Sequence, residues 1–287
     1  MQLKCPLWQK IVIYILSLTP KKTWPHISKI IASLALSTNI NRVNIAKTNI
    51  SLCIKPCDKI LKKNIANTIY SIFELLHYNH KNLPTTNLNT QTNFINALNQ
   101  NKGLLIIHPH TLSMNLAGAI ICSYVYNNSN KKFGYIYRPT KNEKSNNLLQ
   151  YLRYNLGPNA HWFSSRKTTA CIKFLRQGGV LMTFPDHDLG IERSVFSDFC
   201  GIQTATCPSF AKMAELGKAN CIAIALYKKD DTLSFNNQEQ LNTAQPDQKI
   251  ADWLNHWVES VVKKNPAQYF WLHKRFKTRP DKENSLY

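Results

Sequence analysis

The chain has 287 residues, 44% of them apolar, and carries 36 Lys and Arg against 16 Asp and Glu, a net charge of +20. That length suffices for a large core, so neither a disulfide nor a metal is needed to hold it, and only nine glycines leave little scope for Gly-rich phosphate loops. The basic excess implies an anionic partner: nucleic acid, an anionic membrane surface and phosphorylated lipid all qualify, with a merely solvated face as the plain alternative.

The first apolar run, LWQKIVIYILSL at 7–18, is shorter than the roughly 20 residues a spanning helix needs. It contains Lys10 and lacks the small-residue cleavage site of a signal peptide. Trp8, Tyr14 and Trp24 suit a membrane interface, and Lys21 and Lys22 suit lipid headgroups. ISKIIASLAL at 27–36 can lie in the same plane. A helix lying on or dipping into a membrane is the favoured reading, and an ordinary core helix is the other. Residues 1–40 are therefore expected to form a membrane-associated helical segment, and 41–287 an α/β domain.

Ile60, Leu61, Ile65, Ile69, Ile72, Phe73 and Leu76 recur at helical spacing over 56–77. Residues 82–102 are polar and read as loop, with a short helix near 92–100. Strands and helices then alternate. GLLIIH (103–108), GYIYR (134–138), VLMTF (180–184) and CIAIALY (221–227) read as strands. Helices are predicted over 112–126, 141–154, 166–177, 208–217 and 247–264, the last with Ile250, Leu254, Trp257, Val258 and Val261 on one face. This alternation specifies an α/β sheet flanked by helices. The eight cysteines include no CxxC pair, which argues against a zinc ribbon and for buried free thiols.

Chemistry in open α/β sheets gathers where strands end. The residues there are His108, His110, Arg138, Asp186, His187 and Asp188. In HPHTLSMN (108–115) a histidine before a helix can act as general base if a partner fixes its tautomer. Asn115, one turn into that helix, is within reach of His110. H-x4-N alone is weak evidence, and a structural histidine is the plain alternative. Arg138 carries a permanent charge suited to phosphate. Asp186-His187-Asp188 invites a metal, but adjacent residues on extended chain point to opposite faces, so no metal is expected. The tail QYFWLHKRFKTRPDKE (268–283) interleaves Lys274, Arg275, Lys277 and Arg279 with Phe270, Trp271 and Phe276. That pattern suits a headgroup or an acidic carrier protein, and also RNA, with a plain surface tail as the other reading.

The tail QYFWLHKRFKTRP, the segment FPDHDLGIERSVFSDFCGIQTAT (184–206), YRP (137–139), the stretch from Arg166 to Gly179 and RVNIAKTNISLC (42–53) together resemble the late acyltransferases of lipid A biosynthesis, the lauroyl and myristoyl transferases. The resemblance runs from about residue 7 to Tyr287. It implies a glycerol-phosphate-acyltransferase-like sheet, a membrane-seated N-terminus and placement on the cytoplasmic face of the inner membrane. It further implies transfer of an acyl chain from acyl carrier protein to a hydroxyl of a phosphorylated glycolipid, the lipid A precursor. Both partners are anionic, so both are expected to be steered by the positive surface. Nucleic acid is not an expected partner, since no binding motif is present. No cofactor is implied, because the donor brings its own thioester.

The resemblance places the family's catalytic histidine on His110 and the acidic position of its H-x4-D/E motif on Asn115. It gives Arg138 and Arg166 substrate contacts, with Arg138 on a phosphate or the oxyanion, and Lys274 and Arg275 the headgroup. Asp186 and Asp188 would pin the site loop through Arg138 or Arg166, or cap local turns. Asn115 accepts a hydrogen bond but carries no charge. Three outcomes stay open: a working His110–Asn115 pair, another acid such as Asp186 or Asp188 approaching His110, or a catalytically silent homologue that binds lipid.

Overall fold

Short strands apolar on both faces require cover on both faces, and the computed structural model, which describes residues 6–55, 57–86, 88–139, 142–229, 232–280 and 283–287, supplies it. Four helices come first: α1 (Leu7–Ser17), α2 (Trp24–Leu36), α3 (Asn41–Cys53) and α4 (Asp58–His77). They are followed by α5 (Thr92–Asn99), β1 (Leu104–Ile107), α6 (Met114–Asn128), β2 (Phe133–Tyr137), α7 (Glu143–Leu156) and β3 (His161–Ser164). Then come α8 (Thr168–Arg176), β4 (Val180–Thr183), the hairpin β5 (Val195–Phe199) and β6 (Ile202–Thr206), α9 (Ser209–Leu216), β7 (Asn220–Lys229), β8 (Thr232–Gln240) and α10 (Asp247–Lys264). The main sheet has the order β3-β2-β4-β1-β7-β8. It is parallel except for β8, which runs back against β7.

The four strands expected from apolar runs are β1, β2, β4 and β7. Alternate residues of each serve two cores. Leu105, Ile107, Leu181, Ala223 and Ala225 face α8, α9, α10, α3 and α4, while Leu104, Ile106, Met182 and Ile224 face α5 and α6. Gly103 begins β1 because a Cβ there would sit 2.2 Å from the carbonyl oxygen of Leu175. Gly178, at φ +82°, ends α8. The bonds from Gly179 N to Phe174 O and Gly178 N to Leu175 O are those of a left-handed helix cap.

At the N-terminus, α2 lies along α4. Trp24, expected at a membrane interface, is instead buried: its ring stacks on Phe73 at 5.8 Å and its Nε1 donates to Thr19 O. Tyr14 and Ile15 on α1, Leu18 just after it, and Ile30, Ile31 and Leu34 on α2 are exposed. Among the described residues no helix is long and apolar enough to cross a membrane. Cys5 and the side chains of Trp8 and Lys10 lie outside the description. On α4 the expected apolar face holds for Leu61 and Ile65, which are buried, but Ile72 is exposed and the buried position is Glu74. Its carboxylate meets Lys228 Nζ at 3.1 Å, and the same ammonium lies 3.8 Å from the Tyr70 ring centroid.

The basic–aromatic tail is a core strap, not a surface. Trp271 and Phe276 have no exposed surface and Arg275 only 2%. Asparagine side chains seat it: Asn49 donates to the carbonyls of Trp271 and His273, Asn64 to those of Ala267 and Tyr269, and Asn67 to that of Ala267. Arg275, expected on a headgroup surface, reaches into the hairpin and α10, donating to Ala205 O at 2.8 Å, Thr206 Oγ1 at 2.9 Å and Asn255 Oδ1 at 2.8 Å. Among the described residues seven cysteines are free thiols, of which Cys122, Cys171, Cys207 and Cys221 are buried.

Replacing Arg275 by Met keeps much of the volume but removes three buried hydrogen bonds; Thr206 and Asn255 keep their bonds to each other, while Ala205 O loses this donor. Arg275→Met is expected to cost about 3 kcal/mol of stability. Urea unfolding followed by circular dichroism measures this, and an unchanged midpoint would remove Arg275 as the tail's anchor.

Candidate active site

Two strands far apart in sequence bring the site together. β1 and β4 are parallel neighbours with Ile107 opposite Thr183, so each chain, three residues further on, arrives at the same place with His110 and Asp186. His110 Nδ1 lies 2.7 Å from Asp186 Oδ1, and the backbone N–H of His110 donates to Asp186 Oδ2 at 2.9 Å. The tail closes the arrangement. Tyr269 pairs with Thr111 as an isolated antiparallel bridge, Phe270 N donates to His110 O at 2.8 Å, and Tyr269 Oη donates to Asp186 Oδ2 at 2.9 Å.

Asp186 is 1% exposed. Burial alone would raise its pKa, but the charge and hydrogen bonds of His110 outweigh it and hold the carboxyl below the ordinary carboxylate range. An ionised Asp186 accepts the Nδ1 proton and leaves Nε2 with a free lone pair. The His110 side chain is 15% exposed, and Nε2 has no hydrogen-bond partner among the described residues. This is the arrangement of an oriented general base.

Asn115 does not take part. Its Oδ1 accepts from Arg153 Nε at 3.1 Å, on the side of α6 that faces α7. The expected His110–Asn115 pair is therefore corrected: the acid comes from the loop after β4. Asp188 caps its own turn, as one of the two readings had it, accepting from Gly190 N at 2.9 Å, and it also accepts from Thr278 N at 2.7 Å and Thr278 Oγ1 at 2.9 Å. It ties the site loop to the tail, with neither Arg138 nor Arg166 as partner. Those two arginines are exposed just beyond β2 and β3, whose ends pair through Tyr137 and Ser164. Lys274 is half-buried, with Nζ 5.1 Å from the Tyr287 ring centroid.

His108 has a structural role. It is fully buried, with Nδ1 2.6 Å from Pro109 O and Nε2 accepting from Leu226 N at 3.0 Å. This bonding requires the neutral Nδ1–H tautomer. Burial pushes its pKa down to about 4. Two further histidines stand beside the pair: His187, legible in sequence only as a strand-end residue and a possible metal ligand, and His273, assigned no role from sequence. The His187 ring lies flat on His110, centroids 3.4 Å apart and planes 8° apart, and His273 lies on the other face of His187 at 3.9 Å and 15°. Among the described residues no three His, Cys, Asp or Glu side chains converge in a manner suited to a metal ion. Tyr269 was legible only as part of the tail motif.

A parallel α/β sheet with an oriented histidine at its C-terminal edge defines the class. Residues 7–278 match the model of the bacterial lipid A biosynthesis acyltransferases. The chain is similar to the lipid A biosynthesis palmitoleoyltransferase of Escherichia coli strain K12 (25% identity over 68% of this chain and 62% of that protein). It is also similar to the lauroyltransferase of the same strain (28%, over 66% and 60%). A lipid A biosynthesis acyltransferase of Haemophilus influenzae matches at 29%, over 66% and 60%. The chain thus aligns with less than two thirds of the length of these relatives. It belongs to the bacterial lipid A biosynthesis acyltransferase family.

Nitrogen-resolved NMR of the histidine rings at pH 6 is expected to show His108 neutral and protonated on Nδ1, with no titration above about pH 5. A charged His108 at pH 6 would mean that its bond to Leu226 N is absent.

Proposed function

We propose that the protein transfers an acyl chain from acyl carrier protein to a hydroxyl of a lipid A precursor, with His110 as general base and Asp186 as the group that orients it. The observation that carries the reading is the 2.7 Å contact between His110 Nδ1 and a buried carboxylate in a chain of this family. His110 Nε2 takes the proton of the acceptor hydroxyl as its oxygen attacks the thioester carbonyl carbon. The resulting oxyanion collapses, the C–S bond breaks, and the sulfur leaves with the proton returned from His110. The products are an ester and the free carrier thiol. No metal or organic cofactor is needed to balance the step. Arg138 at the end of β2 is suited to a phosphate of the acceptor or to the oxyanion, and Arg166 stands near it.

The exposed apolar residues of α1 and α2 support a seat on the cytoplasmic face of the inner membrane, where a phosphorylated glycolipid and an acidic carrier protein meet. A net charge of +20 favours both encounters. A silent lipid-binding homologue is the second reading, favoured by the uncharged Asn115; the carboxylate of Asp186 beside His110 supports the enzyme.

The test is full-length protein in detergent, given lauroyl, myristoyl and palmitoleoyl thioesters of acyl carrier protein and a 3-hydroxyacylated diglucosamine bisphosphate, with products read by mass spectrometry. One added acyl chain is expected. His110→Ala and Asp186→Asn should each lower kcat by about two to four orders of magnitude, whereas Asn115→Ala should cost less than about tenfold. An inactive wild type, or Asn115→Ala as damaging as Asp186→Asn, would sink this assignment of roles. Raising NaCl from about 50 to 500 mM shortens the screening length severalfold and is expected to lower kcat/KM. Indifference to salt would mean that the surface charge does not recruit the substrates.

A further inference from the structure

The three-histidine column stands beside the His110–Asp186 pair and has no counterpart in the chemistry described above. His187 is sandwiched between His110 and His273, its ring nearly parallel to both. Phe184 closes on His110 at 5.4 Å with a 48° tilt, and Phe270 stands 6.1 Å from His187. The Nε2 atoms of His187 and His273 are both buried without a hydrogen-bond partner. A buried ring nitrogen with no partner is costly, so hydrogen bonding by these nitrogens does not account for the column. What the rings offer each other is their faces.

We infer that His187, backed by His273, is a positioning residue for His110: its flat, uncharged face fixes the plane of the base and lies against the imidazolium that forms when the base takes a proton. The inference rests on the reading of His110 as the base. Asp186 alone pins one nitrogen and leaves the ring free to swing about that bond. A parallel ring at 3.4 Å removes this freedom, and Nε2 is then held on one line. The face must also be neutral, since a second cation at that distance would oppose protonation of His110. Burial holds His187 well below the ordinary histidine range and His273 down to about 4. The charged groups that bear on the column are Asp186 from the loop after β4 and Asp188 and Arg275 around the tail, with neutral His108 behind His110. A neutral aromatic face favours an adjacent cation, so it suits the imidazolium that forms as the base takes the proton.

This gives a pattern that a purely structural role would not produce. In the acyl-transfer assay, His187→Leu fills the space without a planar face, and His187→Phe keeps the face without a titratable nitrogen. His187→Leu is expected to lower kcat by about tenfold or more with KM nearly unchanged, as misorientation of a catalytic group does. His187→Phe is expected to retain kcat within about threefold. His273→Leu, one ring further out, should show the same effects more weakly, and serves as the readout if either change at 187 prevents folding. Wild-type turnover that depends on His110, together with full activity in His187→Leu or an equal loss in His187→Phe, would overturn the positioning role and leave the proposed function standing. Absence of wild-type turnover would instead strike the function itself.

Discussion

A carboxylate removed from water must have its charge answered on every side, and Asp186 is that constraint here. Its two oxygens take the ring and backbone of His110 and the hydroxyl of Tyr269. The donors come from two stretches of chain and the carboxylate from a third, so the contacts exist only when the loops after β1 and β4 and the C-terminal tail are all in place. The loss of any one leaves a buried charge partly unanswered, which costs far more than the bond itself contributes. The site is accordingly also a fastening of the fold.

The tail shows how the remainder serves that fastening. For Tyr269 to reach Asp186, residues 265–276 must run through the interior as irregular chain, and buried irregular chain leaves carbonyls unsatisfied. Asn49 and Asn64, each with no exposed surface, and half-buried Asn67 answer those carbonyls from α3 and α4. Arg275 answers another set in the hairpin and α10. Part of the basic excess is thus spent inside the protein on neutral acceptors, while Lys277, Arg138 and Arg166 remain exposed. Formal charge read along a chain overstates the charge presented to a partner.

What was legible in sequence follows from the same physics. β1, β2, β4 and β7 announce themselves because strands covered on both sides are apolar at every position. β8, TLSFNNQEQ, sits at the sheet's edge and is mostly polar, and β3, HWFS, is the opposite edge with His161 exposed. Neither has the pattern of a buried strand. The β5–β6 hairpin packs on α10 outside the main sheet, and only its aligned motif marked it. The position of His110 was readable because it follows β1 directly. Its partner was readable only as one alternative of three, because helical spacing exposes only local neighbours such as Asn115, whereas Asp186 reaches His110 through the lateral register of β1 and β4, 76 residues apart.

The substitution of an amide at position 115 also has a local reason. Its oxygen receives Arg153 Nε, and burial lowers the pKa of that guanidinium, while Tyr135 and Tyr137 act in the opposite sense. A carboxylate at 115 would form an ion pair with Arg153 in the same geometry and would direct its charge toward α7, away from His110. An amide satisfies the same donor without placing a second anion behind a histidine already paired to Asp186. With Arg153 answered by a neutral acceptor, the side chain at 115 adds no charge of its own to the region around His110 and Asp186.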